Sequence, residues 1–171
     1  AISDRHPDMP LPVTRLLAGR DTCGLEIDSY LDPKIRDLLP DPSIFKDMDK
    51  GAARLADAVE AGTPVGVFGD YDVDGAAAAG LLVNVLGALG LAVDVHIPDR
   101  MREGYGPNEA ALSVLQERGA GLIVTVDCGI AAHEPLEKVA QTGMDVIVVD
   151  HHLAGPELPR AHSVINPNRL D

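Results

Sequence analysis

Val65-Gly66-Val67-Phe68-Gly69-Asp70-Tyr71-Asp72-Val73-Asp74-Gly75 is the stretch on which the reading of this chain turns. An apolar run too short for a helix gives way to three aspartates spaced two apart, and a helical pattern follows at 75–89. A strand that ends in carboxylates and passes into a helix is the first half of a strand–helix–strand crossover. Three like charges this close repel one another unless cations or solvent offset them. The stretch is poor core material and a good metal cradle.

The same pattern recurs along the chain. Apolar runs at 65–69, 92–97, 121–126 and 145–149 alternate with helical patterns near 75–89, 108–118 and 131–142. Leu122-Ile123-Val124-Thr125-Val126 and Val146-Ile147-Val148-Val149 are apolar almost throughout and rich in β-branched residues, as befits strands covered on both faces. The expected fold is therefore α/β: a doubly wound, mainly parallel sheet with helices on both faces. Upstream, Met48, Ala52, Leu55, Ala56 and Val59 recur at helical spacing and stop at Gly62-Thr63-Pro64, which predicts a helix over 47–61. Residues 1–46 are proline-rich with mixed periodicity and read as an N-terminal extended arm with short helical turns.

In such sheets ligands bind at the carboxyl ends of the strands. Asp70, Asp72 and Asp74 follow the first run, Asp127 the third, and Asp150-His151-His152 the fourth. Each aspartate alone has an ordinary reading as a turn former, or, for Asp74, as the cap of the next helix. As a set, carboxylates and imidazoles at equivalent strand ends are the donors that Mn²⁺ or Mg²⁺ accepts. Zinc is disfavoured without a thiolate cluster. Neighbours in an extended segment point opposite ways, so one histidine would ligate metal while the other faces substrate. Arg100 and Arg102 are either phosphate contacts or solvated arginines. Tyr105 could stack on a base, and Asn108 is equally a helix N-cap. Cys128 reads as a small residue in a tight turn, since a reactive thiol needs an electropositive setting.

A net charge of −13, from 27 acidic and 14 basic residues, opposes non-specific binding to nucleic acid. With no Trp and 3% aromatics, an extended base-stacking platform is not expected. Cys23 and Cys128 form no CxxC pair, and neither a signal peptide nor an 18-residue apolar stretch appears. These features predict a reducing, cytoplasmic setting with no membrane. A chain that starts at Ala1 and stops just after Asn166-Pro167-Asn168 reads as a piece of something longer.

Gly69 to Gly75, Val126-Asp127-Cys128-Gly129 and Asp150-His151-His152 closely resemble motifs one to three of the DHH phosphoesterase superfamily. Leu39-Pro40-Asp41-Pro42-Ser43, Phe45 to Lys50, Ile97 to Arg100, Glu103 to Asn108 and Ile165 to Asn168 narrow the resemblance to its bacterial single-strand-specific 5′→3′ exonucleases, over essentially the whole chain. The resemblance implies a hydrolase that cuts phosphodiester bonds in single-stranded DNA with a water activated by two Mn²⁺ or Mg²⁺ ions. It implies work in DNA repair and recombination beside helicase or single-strand-binding protein partners. On it, Asp72 and Asp74 each ligate one ion, Asp127 bridges both, His151 binds one, and His152 meets the scissile phosphate. Asp70 and Asp150 would orient those ligands through hydrogen bonds. Residues 47–171 would be the N-terminal portion of a DHH-type domain, ending before the family's fourth-motif aspartate and its DHHA1 domain, so the chain alone would cut poorly. Ala76 to Ala79 stand where related nucleases carry hydroxyl residues. Two rivals stay open: a DHH phosphodiesterase for short oligonucleotides, cyclic dinucleotides or pyrophosphate, and a non-catalytic binding module.

Overall fold

Each of the four apolar runs becomes a strand in the computed structural model, which describes residues 2–20 and 26–171. Cys23 lies outside the described residues. The strands are Val65–Gly69 (β1), Val93–His96 (β2), Leu122–Val126 (β3) and Asp145–Val149 (β4). A fifth, Ser163–Ile165 (β5), was not foreseen, because three residues are too few to show a period. All pair in parallel, in the order β2-β1-β3-β4-β5. The order reverses between β1 and β3, and a crevice outside the carboxyl ends of a sheet opens at such a switch point.

Residues 1–41 and 42–171 are separate compact units. The first carries the short helices Ile2–Arg5 (α1), Leu11–Ala18 (α2), Ile27–Leu31 (α3) and Ile35–Leu38 (α4), so helix and turn replace much of the extended character read from its prolines. The second holds the sheet, a 3₁₀ turn at Pro42–Ile44, and the helices Met48–Ala61 (α5), Val73–Ala88 (α6), Glu109–Glu117 (α7) and His133–Gln141 (α8). Strand side chains alternate between two cores. Val65, Val67, Leu122, Val124 and Ile147 pack with Ala58 of α5 and Ala79 and Leu86 of α6. Phe68, Ile123, Val146 and Val148 pack with Leu112 and Leu115 of α7 and Leu136 and Val139 of α8. Burial on both faces explains why these strands are continuously apolar, and the doubly wound α/β fold is the one expected.

At the decisive stretch, α6 begins at Val73, two residues earlier than the periodicity suggested. Asp72 is its N-cap: Oδ1 accepts the N–H of Asp74 at 2.9 Å and of Gly75 at 3.1 Å. The cap is thus Asp72 and not Asp74, because a side chain at this position reaches the two orphan donors of the first turn. Gly75 lets that turn lie against the end of β1, for a Cβ there would sit 2.4 Å from the carbonyl oxygen of Asp70.

Candidate metal centre

Three aspartates extend the parallel ladder one residue past the strands. The N–H of Asp70 reaches the Val126 carbonyl at 3.3 Å, that of Asp127 the Val149 carbonyl at 2.9 Å, and that of Asp150 the Ile165 carbonyl at 3.0 Å. The sheet therefore sets them side by side along its carboxyl edge. All three are buried, with relative exposures of 3%, 7% and 5%.

Asp127 is the singular member. Its φ of 59° lies in the left-handed region, a strained choice that aspartate tolerates better than most residues. Neither of its buried carboxylate oxygens has a hydrogen-bond partner among the described residues. His151 Nε2 approaches Oδ1 to 2.9 Å, though not in hydrogen-bond geometry. Donor atoms of Asp127, His151 and His152 lie within 4.8 Å of one another, and so do those of Asp70, Asp72 and Asp127. Two potential cation sites thus share one carboxylate. Burial first, and then the neighbouring Asp72, push the Asp127 carboxyl above the ordinary range, while both histidines oppose this. Asp72 is held below its ordinary value, first by the Gly75 N–H and then, against some desolvation, by Asp127 and the Asp74 N–H.

Asp150 has a different task. Its Oδ2 accepts the Ile130 N–H at 2.9 Å; its Oδ1 accepts the N–H groups of His151 at 2.7 Å and His152 at 3.1 Å and faces His152 Nδ1 at 2.7 Å. This carboxylate bends the segment and turns both imidazoles toward Asp127, with ring centroids 4.7 Å apart. The opposite-facing histidines predicted for an extended strand do not occur for that reason. Burial alone would raise the Asp150 carboxyl, but these donors outweigh it and hold it low. The hydrogen bond to Asp150 in turn raises the His152 imidazole, against partial burial.

The remaining expected residues divide. Asp70 joins Asp72 and Asp127 in one of the two groups, whereas Asp74, exposed on the first turn of α6, is in neither. Tyr105 places its hydroxyl 3.1 Å from His152 Nδ1 and 3.3 Å from Nε2. Its ring meets Tyr71 edge-on, and Arg100 lies 5.1 Å above the Tyr71 ring. Arg102 is exposed and 3.7 Å from Asp99. Asn108 caps α7, accepting the Ala111 N–H at 2.9 Å. The Cys128 thiol is fully buried and raised first by that burial and then by Asp150, Asp70 and Asp127, as suits an inert turn residue.

Two supports escaped the sequence reading. Glu103 joins β2 to the following loop by accepting the Asp99 N–H and His96 Nε2, each at 2.8 Å. Asn166, buried beyond β5, donates to the His152 carbonyl at 3.0 Å, and Asn168 donates to that of His151. The Asn166-Pro167-Asn168 turn was visible in sequence; its bonds to the two histidines, 14 and 17 residues away, were not.

An α/β domain with one carboxylate common to two donor groups at its switch point could hold metal there, and its sequence places it in a family. A profile of the DHH family, N-terminal domain, matches residues 64–171, and the chain belongs to that family. The chain is 42% identical over 129 residues to the single-stranded-DNA-specific exonuclease RecJ of Bacillus subtilis, covering 75% of this chain and 16% of that protein. Against RecJ of Escherichia coli it is 36% identical over 170 residues, 99% of this chain and 29% of the relative. A crystal structure of exonuclease RecJ bound to manganese superposes with a TM-score of 0.66 at 37% identity, over 72% of this chain and 31% of the other. The Mn²⁺ complex of RecJ from Thermus thermophilus gives 0.61 at 36% identity, over 80% of this chain and 18% of that one. The chain therefore spans less than a third of the length of these relatives.

Proposed function

We propose that this chain is the metal-holding domain of a nuclease that hydrolyses single-stranded DNA from the 5′ end. The observation that carries this reading is Asp127: a buried, strained carboxylate without a hydrogen bond among the described residues, common to both donor groups. Such a group is costly to fold unless a cation completes it. Asp70 and Asp72 would hold one divalent ion with Asp127, and His151 with that same Asp127 the other, with Asp74 as a further donor beside Asp72. Carboxylate and imidazole donors fit Mn²⁺, and carboxylates fit Mg²⁺. Two such ions supply charge stabilisation at the phosphorus and a nucleophile at neutral pH.

The chain's own residues supply the rest. Asp150 fixes His152 with Nδ1 toward its carboxylate, which leaves Nε2 to face a phosphate oxygen. The Mn²⁺-bound RecJ structures support manganese, and the resemblance to exonucleases over 99% of the chain supports single-stranded DNA over a dinucleotide. Titrating Mn²⁺ into the chain and into Asp127→Ala tests the site. Loss of one shared ligand should weaken binding by about 100-fold, at the upper end of what even supporting residues cost. Equal affinities would end the assignment. Release of mononucleotides from 5′-labelled single strands in Mn²⁺, in competition with a dinucleotide, tests the substrate; preference for the dinucleotide would favour the short-oligonucleotide rival.

A further inference from the structure

His151 and His152 lie beyond the end of β4, and their imidazoles are 61% and 44% exposed. Rings with so much surface in water are held little by packing, so the backbone that carries them must set their direction. All four backbone polar groups of this dipeptide are taken up by three side chains. Asp150 Oδ1 accepts both N–H groups, Asn166 Nδ2 donates to the His152 carbonyl at 3.0 Å, and Asn168 Nδ2 donates to the His151 carbonyl.

The sheet explains how Asn166 reaches this loop. β4 and β5 pair Val149 with Ile165, and one step further the same parallel register sets Asn166 beside Asp150. An ionised Asp150 offers only acceptors and takes the N–H groups; the carbonyls need a donor, and a short carboxamide supplies one. The orientation of the Asn166 amide is forced. Its Oδ1 accepts the Asn168 N–H at 2.6 Å, so the NH2 end is the one that faces His152. Pro167 between them has no N–H to compete for that oxygen. Arg169 then ties the turn back to the sheet, with Nη1 donating to the Val164 carbonyl at 2.7 Å and to Asp47 at 3.0 Å. At 3% exposure Asn166 is the buried member of the pair, where water has no ready access to replace its donor.

We propose that Asn166, with Asn168, is a positioning residue for the candidate metal centre: by fixing the two histidine carbonyls it holds both imidazoles against Asp127. The three-residue strand β5 and the turn after it are on this account a brace for the dipeptide as well as an edge to the sheet. The part played in metal binding rests on the nuclease reading above; the hold on the two rings rests on these hydrogen bonds alone. Asn166→Ala leaves the side chains of Asp127, Asp150 and both histidines intact, yet frees the peptide that carries the rings.

Long-range proton–nitrogen spectra of the imidazoles, taken in the presence of a chelator, test the hold on the rings. The native chain should give His151 and His152 ring signals displaced from those of a short His-His peptide, and Asn166→Ala should bring them largely back to the peptide values. Asn168→Ala, at an exposed position, should move the His151 signals the same way, and it decides the matter where Asn166→Ala fails to fold. Leu86→Ala, which removes core methyl groups at the opposite end of α6 from the metal centre, should leave the ring signals where they are. Titration with Mn²⁺ then reads the consequence. Asn166→Ala should weaken binding by about tenfold, the lower end of what outer hydrogen-bond partners of a metal ligand cost, and Leu86→Ala should not change it. Unmoved ring signals in the asparagine variants, the same movement in Leu86→Ala, or native Mn²⁺ affinity in Asn166→Ala would each overturn the proposal. Equal Mn²⁺ binding by the native chain and Asp127→Ala would sink the metal reading instead, and the ring signals would still decide whether the asparagines hold the histidines.

Discussion

Asp127 carries two burdens at once, a left-handed backbone and a buried carboxylate without hydrogen bonds among the described residues. Asp127→Asn removes the charge and keeps a residue at ease in that backbone region. It should raise the unfolding free energy of the cation-free chain by about 1–2 kcal/mol, since a buried charge without hydrogen bonds costs more than the neutral amide that replaces it, and abolish the response to Mn²⁺. Urea denaturation with and without Mn²⁺ measures both, and a destabilised, still responsive variant would contradict the assignment. Glycines give a second contrast. At Gly75 an added Cβ would meet Asp70 backbone atoms at 2.4 and 2.6 Å, so Gly75→Ala should cost about 3 kcal/mol. At Gly80, inside α6, nothing lies within 4 Å, and Gly80→Ala should gain about 0.5–1 kcal/mol. Similar effects at the two positions would refute the close approach of α6 to β1.

Among the elements, β5 is the edge strand whose pairing the sequence least announced. The outward N–H of Val164 donates to Asp47 Oδ2 at 3.0 Å; Arg169 donates to that same oxygen at 3.0 Å and to the Val164 carbonyl at 2.7 Å. A carboxylate and a guanidinium thus occupy the free edge of the sheet, where an unpaired strand would invite another chain. Burial alone would raise the Asp47 carboxyl, but the Val164 N–H and Arg169 outweigh it and hold it low. A depressed carboxyl stabilises the fold fully above its unfolded value, about pH 4, and that contribution fades as pH falls through the folded value. Hydrogen exchange should therefore show protection of the Val164 amide falling below about pH 4 while that of Val124 in β3 persists. Protection at Val164 that does not change with acid would contradict the clamp.

For the whole molecule, the excess of 27 acidic over 14 basic residues is a cost that cation binding at the sheet edge would partly offset. Mn²⁺ at about 100 times its dissociation constant should stabilise the unit that holds the site by about 2.7 kcal/mol, if only the folded state binds it. Exchange of β3 amides reads that unit apart from residues 1–41. An increment that survives Asp127→Asn would place the ion elsewhere.

The local part of this protein was legible in its sequence: four strands, the helices between them, and carboxylates or imidazoles after three strand ends. Apolar runs, helical spacing and turn residues act over a few positions, so they can be read without knowing what lies beside them. The N-cap was misplaced by two residues, from Asp74 to Asp72, because which aspartate caps depends on where β1 releases the chain. Tertiary structure alone set β1 against β3 and brought Asp70 beside Asp127. It also bent Asp150 back onto both histidines and closed the sheet edge with Asp47, 117 residues from Val164. Those arrangements depend on contacts between segments far apart in the chain, which no window of sequence contains.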